Sequence, residues 1–170
     1  MAATVKKQIW FISSDDGVAP NTETVQIAGS QGLPIVGTPM VQAADGYWDV
    51  VATDDTLLHG FLAETILTQK SEGDSIRIVR ANTKHRLGVY CESAGTDSAV
   101  VQANVGDAYG LTISTTAGQV GYTTLDLAEK TNLLVDMVDI MYNVEPLKFA
   151  LADAPGVAIV RIRASALVSS

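Results

Sequence analysis

The residues of this 170-residue chain that could carry chemistry are few: two histidines, one cysteine and three close pairs of acids, Asp15–Asp16, Asp54–Asp55 and Asp136/Asp139. Paired carboxylates serve hydrolases as acid and base, and clustered carboxylate oxygens hold divalent cations. No segment has the acid spacing of an EF-hand loop, and Ala52-Thr53-Asp54-Asp55-Thr56 reads as a turn rich in side-chain-to-backbone bonds. His59, in Leu57-Leu58-His59-Gly60-Phe61, would need a nucleophile and an orienting acid to act as a general base. The chain has no Gly-x-Ser-x-Gly elbow, so His59 reads as a histidine satisfied by backbone groups beside a strand. Cys91 sits in the strand-like run Val89-Tyr90-Cys91-Glu92 and reads as a small buried side chain. A single cysteine excludes an internal disulfide and a multi-cysteine zinc site. No catalytic residue, metal or cofactor is expected.

The Gly-containing run Val105 to Leu111 leads into Thr112-Ile113-Ser114, a strand pattern and not the helix that a phosphate cradle requires. Binding to a partner is the chemistry left. Arg77, Arg80, Lys84 and Arg86, with His85 among them, place four of the eleven basic residues within ten positions. In a chain of net charge −8 this is a local positive patch, which suits either an acidic partner surface or a solvated hairpin end around Ala81-Asn82-Thr83-Lys84. Trp10, Phe11, Tyr47 and Trp48 are candidate interface aromatics or core residues. Tyr47 and Trp48 are neighbours on one strand, so they point to opposite faces. The acidic balance argues against nucleic-acid coating, and the cluster has no interleaved aromatics on which bases would stack. No membrane partner is expected, since the chain has no apolar run of spanning length, and the stretch after Lys6-Lys7 is too short for a signal peptide.

The elements that must position these residues are strands. Val, Ile and Thr make up 46 of the 170 residues, and the scattered 14 glycines and five prolines cut the chain into short segments. Expected strands are Ile9–Ser13, Glu23–Ala28, Thr38–Ala43, Tyr47–Ala52, Leu57–Glu64, Ser75–Ala81, Leu87–Glu92, Tyr109–Ser114, Gln119–Thr123, Leu147–Leu151 and Val157–Ala166, a spacing typical of a sandwich or barrel. Asp45-Gly46 predicts a hairpin with a type I′ turn. Ser75 to Arg80 alternates so that Ile76 and Ile78 face a core and Arg77 faces out. Val157 to Ile162 is apolar on both faces for most of its length, broken by Arg161, as a central strand would be. Between Gly121 and Pro146 the polar positions Glu129, Asn132, Asp136, Asp139 and Asn143 recur at helical spacing, whereas Thr131-Asn132 followed by Leu133-Leu134-Val135 reads as turn then strand. Residues 1–22 read as an extended N-terminal arm or edge strand, and residues 23–170 as one β-rich domain.

The order of several short motifs resembles the head decoration (capsid cement) proteins of tailed bacteriophages. These are Leu33-Pro-Ile-Val-Gly-Thr-Pro-Met-Val41, Asp45-Gly-Tyr-Trp48, Leu57-Leu-His-Gly-Phe61, Val105-Gly-Asp-Ala-Tyr-Gly-Leu111, Leu133-Leu-Val-Asp136 and Gly156-Val-Ala-Ile-Val-Arg-Ile162. The resemblance spans residues 33–163. It implies a mainly β protein: a small β-barrel, β-tulip or sandwich with an extended N-terminal arm and at most one short helix. It tips the 122–145 segment towards a strand. It further implies no enzymatic activity and attachment to the outside of a capsid. The partner would be the major capsid protein, engaged by homo-trimers at three-fold or local three-fold positions. The protein would be made in the host cytoplasm and end on the virion. Trp10, Phe11, Arg77, Arg80, Lys84 and Arg86 are the expected contact residues. Competing readings are another virion component, such as a tail or minor head protein, a carbohydrate-binding module, or a β-barrel enzyme of cupin or nucleotide-hydrolase type.

Overall fold

A computed structural model describes residues 8–32, 34–52, 55–114, 122–141 and 156–167. The protein is mainly β. Its strands are β1 (Trp10–Ser14), β2 (Thr22–Gln26), β3 (Pro39–Gln42), β4 (Trp48–Val50), β5 (Gly60–Leu62), β6 (Ser75–Arg80), β7 (His85–Ser93), β8 (Thr96–Asp97), β9 (Ala108–Ile113), β10 (Thr123–Asp126), β11 (Val135–Ile140) and β12 (Val157–Ile162). The helical content of the described residues is two three-residue 3-10 turns, Gln102–Asn104 and Ala164–Ala166, in place of the one short helix allowed for.

Five strands close a small barrel in the order β7-β10-β9-β11-β12, with β12 returning to β7. Strand β7 is nine residues long and serves twice. Its first half pairs with β1 on one side and β12 on the other, and its second half pairs with β8 and, in parallel, with β10. Alternate residues Leu87, Val89 and Cys91 join the barrel core with Leu111, Leu125, Met137 and Val160. Tyr90 points the other way, to a small cluster with Val157 and Met141 against which Trp10, Ile12 and Ile159 pack. This explains why both faces of residues 157–160 are apolar: one face fills the barrel and the other joins the cluster on which the Trp10 and Ile12 side chains of β1 pack.

The second sheet runs β2-β6-β5-β3-β4, all antiparallel, and a parallel bridge between Ile27 and Trp48 draws its two edges together. Around this bridge Ile27, Met40, Trp48, Leu62, Ile66, Ile76 and Ile78 form its core. Ile76 and Ile78 are buried and Arg77 is exposed, as their alternation predicts. Trp48 enters this core while Tyr47 stays half exposed. A Cβ on Gly60 would sit 3.1 Å from the Trp48 ring, so a residue without a side chain is what lets the indole in. Val51, Leu58 and Phe61 cross from this sheet into the barrel core, joining the two units.

One sequence expectation changes, and one open reading resolves to the strand towards which the resemblance tipped it. The Asp45-Gly46 hairpin is present, but Gly46 alone has a positive φ (+91°) and its N–H donates to the Ala43 carbonyl. The connection is therefore a type I turn closed by a left-handed glycine and not a type I′ turn. The helical spacing of Asp136 and Asp139 is a strand feature: β11 carries a bulge between Met137 and Asp139, so Val138 is an extra residue that turns a spacing of two into three. Glu129 belongs to the preceding turn, where its carboxylate accepts the Thr131 and Asn132 N–H groups. Thr96–Asp97 is a short strand that no pattern announced. The expected strand Leu147–Leu151 and most of Gln119–Thr123 lie outside the described residues.

Within the 1–22 stretch, residues 1–7 lie outside the described residues, and Gln8 to Ser14 is knitted into the barrel sheet. Ile9 is 4% exposed in the barrel core, and the Gln8 side chain accepts the Thr123 N–H at 2.9 Å.

Candidate interaction surface

Strand β1 is the free end of the barrel sheet: β7 is its one strand partner among the described residues. Beside it a groove of about 590 Å³ runs between β1 and the second sheet, lined chiefly by apolar side chains that include Ile9, Phe11, Val36, Phe61 and Leu87. Phe11 is 37% exposed and Val36 53% exposed, so the rim presents apolar surface to water. At its base His85 is 7% exposed and meets the Phe11 ring edge-on at 5.4 Å. Its Nδ1 is buried and has no hydrogen-bond partner among the described residues. Burial lowers the His85 pKa below 6.5, against an opposing pull from Asp16.

Trp10 and Phe11 are adjacent on β1 and so face opposite ways. Both residues contribute to the lining of the groove, but the Trp10 indole turns to the other face. There its indole packs against Gly88 and lies 5.7 Å from the Tyr90 ring. The two expected contact aromatics are therefore not one patch.

The basic cluster is also divided. The antiparallel pairing of β1 with β7 and of β2 with β6 carries acids from residues 15–23 onto it. Arg86 Nε donates to Asp15 at 2.8 Å, and the same carboxylate receives Arg161 Nη2 at 2.5 Å. Lys84 pairs with Asp16 at 3.3 Å. Arg80 pairs with Glu23 and lies over the Trp48 ring, 5.4 Å from its centroid. Arg77 reaches only the Thr22 hydroxyl, at 3.3 Å, and makes no ion pair among the described residues. What reads as a positive patch along the sequence is thus, among the described residues, a row of ion pairs with one unneutralised base, Arg77. The Arg86 hydrogen bond, opposed by a small loss of hydration and helped by the charges of Arg161 and Arg86, lowers the Asp15 pKa below 3.8. Asp16 is brought to about 2, first by the Ser14 hydroxyl and the Val18 N–H and then by Lys84.

His59 accepts the Gln42 N–H on Nδ1 at 2.7 Å, the backbone partner that its sequence setting predicts. Asp55 likewise acts in a turn, accepting the Ala52 N–H at 2.7 Å, while Asp54 lies outside the described residues. Asp136 pairs with Arg163 at 2.7 Å. Cys91 is fully buried. Among the described residues no group of three His, Cys, Asp or Glu side chains is placed to hold a metal ion.

The surface can therefore accept an apolar side chain in the groove and an added strand on the open edge of β1. Sequence reasoning missed Ile35, Val36 and Phe61 as its walls, because they come from connections and a strand of the other sheet. It also missed Asp15, Asp16 and Glu23 as counter-ions, since the pairing that delivers them is long-range. No family model matches the chain, and no curated protein matches it.

Proposed function

We propose that this chain is a virion structural protein, a decoration protein that docks on the outer surface of a phage capsid and stabilises it. One observation carries the reading: an edge strand, paired on one side only among the described residues, bears a 37% exposed phenylalanine beside an apolar groove of about 590 Å³. Such a groove and edge suit a partner that contributes both backbone and apolar side chains. The motif order of residues 33–163 supports the same role by resemblance. The major capsid protein is then the partner, and the outer capsid surface the location. Three-fold and local three-fold positions would be occupied by trimers. Repetition of weak contacts over a lattice supplies avidity without one strong contact, and the net charge of −8 keeps the unbound protein dispersed.

The test is to mix the purified protein with expanded capsids that lack it and to image them by electron microscopy. Added density on the outer shell at lattice symmetry positions is the expected result. Bare shells at saturating protein would refute the role.

A further inference from the structure

We propose that His59 is an acid-sensitive latch on the tip of the β3–β4 hairpin, residues 42–47, tying it down while the imidazole is neutral and releasing it on protonation. The inference is independent of the capsid reading.

The geometry decides the protonation state. Beyond the last β3–β5 pair, Met40 with Gly60, the ladder is continued by a side chain: the Gln42 N–H donates to His59 Nδ1 at 2.7 Å. A ring nitrogen that accepts a hydrogen bond carries no proton, so the neutral ring holds its proton on Nε2. A second proton has to go on Nδ1, where it would oppose the Gln42 N–H and break the bond. The resulting cation would find no compensation, because Nε2 is buried with no partner among the described residues. The ring stands at 79° to the buried Trp48 indole, with 6.2 Å between the centroids.

The charges on neighbouring elements do not rescue it. Arg80 of β6 acts on the ring and is a cation, and its own counter-ion is Glu23 of β2. Of the hairpin acids, Asp45 is engaged by the Tyr47 N–H and Asp49 by the Gln31 side chain. Burial first, and Arg80 second, hold the His59 pKa below 6.5. A group whose native pKa is depressed in this way leaves the closed form with fewer bound protons than the open one. Closure is therefore at full strength above pH 6.5 and weakens as pH falls through that value, until the native pKa is reached. The base of the hairpin is fixed by other means, with Met40 and Trp48 in the core, Ala28 N–H donating to Trp48, and Gln31 bonding Asp49 and the Val50 N–H, so protonation frees only the tip that Gln42 carries.

Hydrogen exchange on the full chain tests the latch. Amide protection over residues 42–47, corrected for intrinsic exchange, should fall roughly threefold or more between about pH 7.5 and about pH 5. His59→Asn keeps an acceptor where Nδ1 stands but does not titrate, and should abolish that dependence while leaving β1 unchanged. Nitrogen-15 spectra of wild-type protein supply a second measure that needs no variant. They should show the Nε2–H tautomer and a His59 midpoint below 6.5. A midpoint at or above 6.5, hairpin protection that ignores pH, or an undiminished dependence in His59→Asn would each overturn the proposal.

Discussion

The indole of Trp10 lies directly over the α-carbon of Gly88, its register partner across β1 and β7. A Cβ at position 88 would fall 2.3 Å from the indole Cε2, so the glycine is what allows the edge strand to seat. Gly88→Ala must push Trp10 away from Tyr90. We expect a loss of about 1–3 kcal/mol of stability in urea unfolding, with a shift in tryptophan emission. Unaltered stability and emission would show that β1 is not held by this contact.

Ile9 and Phe11 belong to one short segment but should separate cleanly. Ile9 is 4% exposed in the barrel core, so Ile9→Ala should cost about 2–4 kcal/mol. Phe11 borders water, so Phe11→Ala should change stability by no more than about 1 kcal/mol. Capsid binding should respond in the reverse order, with Phe11→Ala losing occupancy at concentrations where the wild type saturates. Equal binding by Phe11→Ala would remove the groove from the interface.

Arg77 and Arg80 are two bases of one strand with different prospects. Arg80→Glu sets a carboxylate against Glu23 and removes the cation from the Trp48 face, so it should destabilise the second sheet. Arg77→Glu removes an exposed contact to Thr22 and places a second carboxylate near Glu64, which bonds the residue 77 N–H, so it should lower thermal stability less than Arg80→Glu does. If an acidic partner surface is involved, Arg77→Glu should lower capsid occupancy at low salt and less so at high salt. Identical occupancy at both salts would mark Arg77 as merely solvated.

The Asp16 carboxylate offers a direct check on the seam between β1 and β7. Its native pKa of about 2 lies below the ordinary 3.8. Its contribution to stability is therefore complete above pH 3.8 and is lost as pH falls from there towards about 2. Carbon-13 carboxyl titration should give a midpoint near that lower value, and Ser14→Ala, which removes the first cause of the shift, should raise it. A midpoint of 3.8 would mean that the Ser14, Val18 and Lys84 contacts do not persist in solution.

The parts of the fold that sequence makes legible are those decided by nearest neighbours on one strand. Ile76 and Ile78 alternate with exposed residues, and Val157 to Val160 is unbroken apolar sequence because two clusters flank it. Legibility stops where a local pattern is altered by an extra residue or completed from afar. The bulge at Met137/Asp139 imitates helical spacing. The parallel pairing of β7 with β10, which closes the barrel, leaves no short-range trace. The interaction surface shows the same divide. Phe11 and the basic residues are visible as types, but their counter-ions and the walls of the groove depend on which strands meet.

Strand β7 also sets the order in which the molecule can be built. Its barrel neighbours β10 and β12 both follow it in the chain, and β12 is the last strand among the described residues. As the polypeptide is made, β7 therefore emerges with a long apolar ribbon whose backbone groups on one side have only β1 to meet. Closure waits on contacts of high sequence separation, which slows folding and leaves an open edge exposed meanwhile. A nascent chain of this kind is most vulnerable to pairing with its own copies in that interval, and early docking of β1 is the protection that the topology supplies.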